Sequence, residues 1–267
     1  MHGYDKLSSD LNLSNKTKVP IIHIKGVSKR FGELEAVGPT DLDIEGGIIF
    51  GLIGSDGAGK STLLRMLATM IRPTRGRITI DGLDTIRQKT GIKVLIGYMP
   101  QRFGLYQDLT VGENLDFFMD IFGISAKERK RRRERYLGFS NLLPFLERPA
   151  GALSGGMKQK LGLACVLVHE PKILILDEPT NGVDPVSRKE FWDILFEMKG
   201  EGMTIVISTA YLDEGEKCDR LALMHKSRII ESGAPGLIRE GSPDLEEAMI
   251  RRIKDVDQEL VHDRFGI

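Results

Sequence analysis

A chain of 267 residues with 38 basic and 38 acidic side chains fits one to two domains and has no net charge, which argues against nucleic acid as a partner. No stretch free of charged residues exceeds 11 positions, whereas a spanning helix needs about 20 apolar ones, so the sequence holds no membrane span. Only two cysteines, Cys165 and Cys218, and no apolar run near the start point to a reduced cytosolic setting, and 30 glycines suggest a turn-rich α/β protein.

Residues 1–19 are polar and without period, and are expected to form an arm with no function. Short β-type runs follow at 21–24, 41–44 and 47–54, the last apolar enough for a strand buried on both faces. A glycine-rich turn and a helical run (61–70) come next, then strand candidates at 76–82 and 94–100. From about 102 to 160 the pattern turns helical, with the basic run KERKRRRER at 127–135. That run is expected to be a solvated helix face, or else a contact for anionic lipid. Strand signals return at 172–179 and 204–209 around a helical stretch, the alternation of a parallel sheet. A hairpin after Asp219 and an amphipathic helix at 244–262 complete the pattern. The cysteines are expected to be buried small residues.

Gly54, Ser55, Asp56, Gly57, Ala58, Gly59, Lys60, Ser61 and Thr62 read GSDGAGKST between a buried strand and a helix. Glycines let backbone N–H groups turn toward phosphate oxygens at a helix start, Lys60 adds a positive charge for the β- and γ-phosphates, and Ser61 offers a hydroxyl to Mg²⁺. In ILILDE (173–178) two carboxylates end a buried strand, at the edge where open parallel sheets hold ligands. Asp177 is the candidate for Mg²⁺ coordination from behind the first ligands, and Glu178 for orienting or deprotonating the attacking water.

With Leu153, Ser154, Gly155, Gly156 and Met157 between these two motifs, the chain resembles the nucleotide-binding domain of ABC ATPases over roughly 20–240. The resemblance implies a P-loop NTPase core with a mainly parallel sheet, an antiparallel β subdomain and an inserted helical lobe at about 102–160, followed by a helical tail at 241–267. It implies that Gln101 senses the γ-phosphate through Mg²⁺ or water, that Asp184 in GVDP belongs to a dimer-facing loop, and that Phe31 in KRFG stacks on adenine. Ser154, Gly155 and Gly156 would complete the ATP site of a second ABC ATPase domain. The implied partner is a membrane-spanning permease, placing the chain peripherally on the cytoplasmic face of the membrane.

Three departures stand out. The signature reads LSGGM where Gln more commonly follows the glycines, and Asp56 stands where Asn is commoner. Ala210 occupies the place of the usual switch His, and His225 is out of register for that role. A methyl group neither donates a hydrogen bond nor titrates, so hydrolysis is expected to be slow. The combination is similar to ATPases of bacterial multidrug exporters. The alternatives are a regulatory subunit with little turnover and a soluble ABC ATPase acting on ribosomes or DNA.

Overall fold

The computed structural model describes residues 20–265, with side chains to 257. The expected arm at 1–19 lies outside them. Strands β1 (Pro20–Phe31), β2 (Leu34–Glu45) and β3 (Ile49–Ile53) lead through the glycine-rich turn into α1 (Lys60–Leu67). Strands β4 (Arg75–Ile80) and β5 (Leu83–Asp84), helix α2 (Lys89–Leu95) and β6 (Ile96–Met99) follow. Next come α3 (Val111–Ile121), α4 (Ala126–Phe139), α5 (Gly155–Leu167), β7 (Ile173–Asp177), α6 (Pro185–Gly200), β8 (Thr204–Thr209) and α7 (Leu212–Gly215). The hairpin β9 (Arg220–His225) and β10 (Arg228–Gly233) leads to α8 (Pro235–Ile238) and α9 (Leu245–Phe265).

A six-stranded sheet runs β10-β9-β3-β8-β7-β6, with every neighbouring pair parallel except β9 and β10. A second, antiparallel sheet runs β2-β1-β4-β5. The central strands are apolar on both faces, and their period of two divides them between two cores. Leu174, Leu176, Ile205 and Ile207 pack with Trp192, Leu161 and Leu115 of the surrounding helices. Ile173, Ile175 and Val206 face the other way, against Leu63 and Leu64 of α1 and Ile22 and Ile78 of the antiparallel sheet. The glycine-rich turn and the ends of β7 and β8 therefore sit between two packed layers at one edge of the sheet. A smaller cluster joins Ile53, Leu221 and Leu223 to Leu245 and Met249 of α9.

Two expectations change. The candidate strand at 94–100 begins only at Ile96, because the residues before it close α2, with Ile92 buried and Val94 exposed. The basic run forms α4, but it is not a merely solvated face. Arg133 meets Asp116 of α3 at 2.6 Å, Arg132 meets Glu128 and Glu170, and Arg135 pairs with Glu201 beyond α6. Apart from Glu128, which lies in α4 itself, these carboxylates fasten the helix to other elements of the chain.

Candidate nucleotide site

Two glycines of the turn are dictated by what lies beside them. A Cβ on Gly54 would lie 2.2 Å from the Met224 carbonyl oxygen, and one on Gly59 would lie 2.4 Å from that of Ala36, with φ at +105°. No side chain fits either place. Helix α1 starts at Lys60 with no side-chain cap, which leaves its first N–H groups without intrahelical partners and suited to an anion. They open on a cleft of about 260 Å³ lined by Leu34, Ala36, Gly57, Lys60, Ser61 and Ser227. Ser55 and Asp56 are exposed. The Asp56 carboxylate is thus solvated, which relieves its conflict with a polyphosphate.

Below the turn, five of the sequence candidates form one contact set. Lys60 is 3% exposed, and its Nζ donates to the carbonyl oxygens of Gly54 (2.7 Å) and Ser55 (3.1 Å) and lies 3.1 Å from Glu178 Oε1. Gln101 Nε2 donates to Glu178 Oε2 at 3.0 Å, and Ser61 Oγ donates to Asp177 Oδ1 at 2.8 Å. Glu178 holds a left-handed backbone at φ +48°, an uncommon state for a non-glycine residue and one found often at functional sites.

Three residues that the sequence reading did not single out join this set. Ser208 Oγ accepts from the Glu178 N–H (3.0 Å) and donates to Asp177 Oδ1 (2.9 Å), so the end of β8 fixes both carboxylates. Asn181 Nδ2 donates to Glu178 Oε2 at 3.4 Å. The buried Tyr98 phenol has its pKa pushed up by desolvation and by the nearby Asp177 carboxylate. A polar residue inside an apolar strand, as in TIVIST, was the available signal for Ser208.

The donors also suit a cation. Asp177 is 1% exposed, and its Oδ2 is buried with no hydrogen-bond partner, a costly state unless positive charge arrives. Among the described residues no group of three or more His, Cys, Asp and Glu gathers as a metal cage. One hydroxyl and one carboxylate beside a phosphate cleft match the sparse, water-retaining way in which Mg²⁺ binds.

The remaining candidates lie elsewhere. Ser154 caps α5, its Oγ accepting from the Met157 N–H, with Gly155 exposed beside it. Gly156 packs so closely on α6 that a Cβ there would come within 2.3 Å of Ser187. Asp184 caps α6 by accepting from the Ser187 N–H at 2.9 Å, a bond that holds its carboxyl below the usual carboxylate range. Gly156 and Asp184 meet at Ser187, and none of these residues lines the cleft. Phe31 is half exposed at the tip of the β1–β2 hairpin, also outside the lining, with Lys29 Nζ 4.8 Å from its ring centroid.

Ala210 is exposed just past β8, and the Tyr211 ring lies against the Arg188 guanidinium at 4.4 Å. His225 Nε2 meets Asp257 at 2.8 Å. Both cysteines are buried, as expected. Burial raises the Cys165 thiol well above its usual range and pushes Cys218 up to about 12.

The ABC transporter family model matches residues 37–181. The chain is 50% identical over 217 residues to the "Probable multidrug ABC transporter ATP-binding protein YbhF" of Escherichia coli, covering 80% of this chain and 38% of that protein. It therefore spans well under half the length of that relative. It is 35% identical to the daunorubicin resistance ATP-binding protein DrrA3 of Streptomyces coeruleorubidus, covering 79% of this chain and 67% of that one. It is 36% identical to the ABC transporter ATP-binding protein NatA of Bacillus subtilis, covering 80% and 89%. Among solved structures, a dimeric post-hydrolysis state of the ATP-binding cassette MJ0796 bound to ADP and Pi superposes with a TM-score of 0.73 and 26% identity, covering 80% of this chain and 98% of that one. The glycine-rich turn and the paired carboxylates thus stand in a chain whose sequence and fold match these proteins, and the chain belongs to the family of ABC transporter ATP-binding proteins.

Proposed function

We propose that this chain binds and hydrolyses ATP at the Lys60–Glu178 site and that two such cassettes, closing on ATP, power an exporter of drugs or other hydrophobic compounds. The observation that carries this reading is the convergence of Lys60, Ser61, Gln101, Asp177 and Glu178 in one contact set. The backbone N–H groups of the turn and of α1 hold the phosphates, and Lys60 neutralises them. Ser61 and Asp177, with Gln101 at the edge, hold Mg²⁺, which when bound offsets charge on the phosphate oxygens. Glu178 orients and deprotonates the water.

The site residues for the second cassette are Ser154, Gly155 and Gly156, with Asp184 beside them, and Phe31 takes the base. Residues 20–240 form the ATPase domain, with the lobe at about 102–160 and a helical tail at 241–267. Export as the function draws support from the similarity to YbhF, a probable multidrug ABC transporter ATP-binding protein, and to DrrA3, a daunorubicin resistance ATP-binding protein. No helix among the described residues is long and apolar enough to cross a membrane, so transport needs a membrane-spanning permease, which would hold the chain at the cytoplasmic face. A regulatory cassette with little turnover is the second reading, and Ala210 is the observation that favours it.

Steady-state ATPase assays separate the two readings, since negligible turnover in the purified dimer with its membrane partner supports the second. Recovery of a membrane-spanning subunit with the tagged chain, from its native membrane, is the expected result for the first. Gln101 connects Glu178 to the start of the helical region, so Gln101→Ala should retain ATP binding and lose stimulation by that membrane partner. Undiminished stimulation would remove Gln101 from the coupling route.

A further inference from the structure

Ser227 lines the nucleotide cleft from the two-residue turn between β9 and β10, and that turn is built from unusual residues. Lys226 and Ser227 both have left-handed backbones, at φ +44° and +66°, although neither is glycine. A two-residue hairpin loop calls for this backbone, but with Gly, Asn or Asp, so Lys and Ser are held in it by the pairing of β9 with β10 and by their surroundings. On one side the turn is tied to the site. The Ser227 N–H donates to the carbonyl oxygen of Ala58 in the phosphate-binding turn (3.2 Å), Ser227 Oγ donates to that of Glu35 (2.8 Å), and the Ser227 carbonyl accepts from the Gly38 N–H (2.6 Å).

On the other side the turn is tied to α9. Asp257 Oδ1 accepts from His225 Nε2 at 2.8 Å and from Lys226 Nζ at 2.7 Å, the two residues that lead into Ser227. The helix is itself well seated. Arg252 grips Glu231 of β10 with two bonds, and Leu245 and Met249 pack with Ile53, the last residue of β3 before the phosphate-binding turn. Asp257 is thus held by a helix that shares a core with the site.

We propose that Asp257 is a positioning residue for nucleotide binding: through His225 and Lys226 it holds the Lys226–Ser227 turn against Ala58, and α9 thereby sets the affinity of the cleft. The inference rests on the reading of that cleft as the ATP site. A phosphate nest binds well only when its backbone is organised before the ligand arrives. Releasing Asp257 lets the turn relax out of its left-handed state, and Ala58 loses the N–H that anchors its carbonyl.

Isothermal titration calorimetry with ADP, beside thermal unfolding without nucleotide, tests this. Asp257→Ala should raise Kd roughly fivefold, the low end of couplings between distinct sites. Adding Lys226→Asn to Asp257→Ala should bring Kd back toward the wild-type value, because Asn tolerates the left-handed region and restores the turn without the carboxylate. A lowered Tm with unchanged Kd would show a merely structural contact and overturn the proposal. A raised Kd that Lys226→Asn does not rescue would overturn the route through the turn. Failure of the wild-type chain to bind ADP would instead remove the site reading itself, and the inference with it.

Discussion

Glu178→Gln should all but abolish steady-state turnover while ATP still binds and holds two cassettes closed, whereas Lys60→Ala should weaken binding itself. The geometry makes the two defects different in kind. Lys60 and Glu178 form a nearly buried ion pair at 3.1 Å, with side-chain exposures of 3% and 9%. On the proposed reading, arriving phosphates would replace the carboxylate as the partner of Lys60. Gln in place of Glu178 removes the competing charge but keeps an oxygen for Gln101 and Asn181, so affinity holds or rises. What is lost is the base, an effect worth about 10²–10⁴ in rate.

Lys60→Ala does the reverse. It removes the cation that meets the phosphates and leaves Glu178 as a buried carboxylate supported only by amide donors, and breaking a buried pair in this way costs about 3–5 kcal/mol. This variant should therefore also unfold at a lower temperature without nucleotide. The Lys60→Ala/Glu178→Gln double variant should recover much of that stability and none of the ATP affinity. Calorimetric titration, thermal unfolding and size-exclusion chromatography with ATP and Mg²⁺ measure the three effects. Equal loss of affinity in both single variants would sink the assignment.

The parts of the site legible in the sequence were those fixed by local rules. A continuous apolar strand ending in two acids, and a GxxxxGKS turn between strand and helix, each carry their structure within a few residues. That locality explains why Lys60, Ser61, Asp177 and Glu178 could be named at once. The contacts that join them were not legible, because Ser208 and Ser227 reach the site only through strand order. β8 lies beside β7, and β9 lies beside β3. The same blindness applied to α4, whose helical charge pattern was visible while its partners Asp116, Glu170 and Glu201 were not. The lengths of β1 and β2 were also underestimated. Each runs 12 residues, with register shifts that break the alternation used to find strands.

On the reading that Ala210 leaves the γ-phosphate without a side-chain donor, Ala210→His should raise kcat about tenfold or more with little change in ATP affinity. In β8, Val206 packs toward α1 and Ser208 bonds Asp177 and the Glu178 N–H, and position 210 follows two residues later, just past the end of the strand. The position is exposed, and Tyr211 does not compete for the space, since its ring is drawn away onto Arg188 of α6. Thr209 is buried, and its Oγ1 accepts from the Tyr211 N–H at 3.0 Å, so the backbone on either side of Ala210 is held. An imidazole placed there meets an exposed position. A donor aimed at charge that develops in the transition state is worth ~10²–10³ in kcat. The engineered residue should recover a part of this, because nothing around it has been shaped to orient the ring. In a homodimer both sites gain, and in a heterodimer only the site built on this phosphate-binding turn does, so single-turnover amplitudes distinguish the assemblies. Intact ATP binding with kcat unchanged or lowered would mean that the water is positioned without this donor, by Glu178 with Gln101 and Asn181, and that Ala210 is no defect.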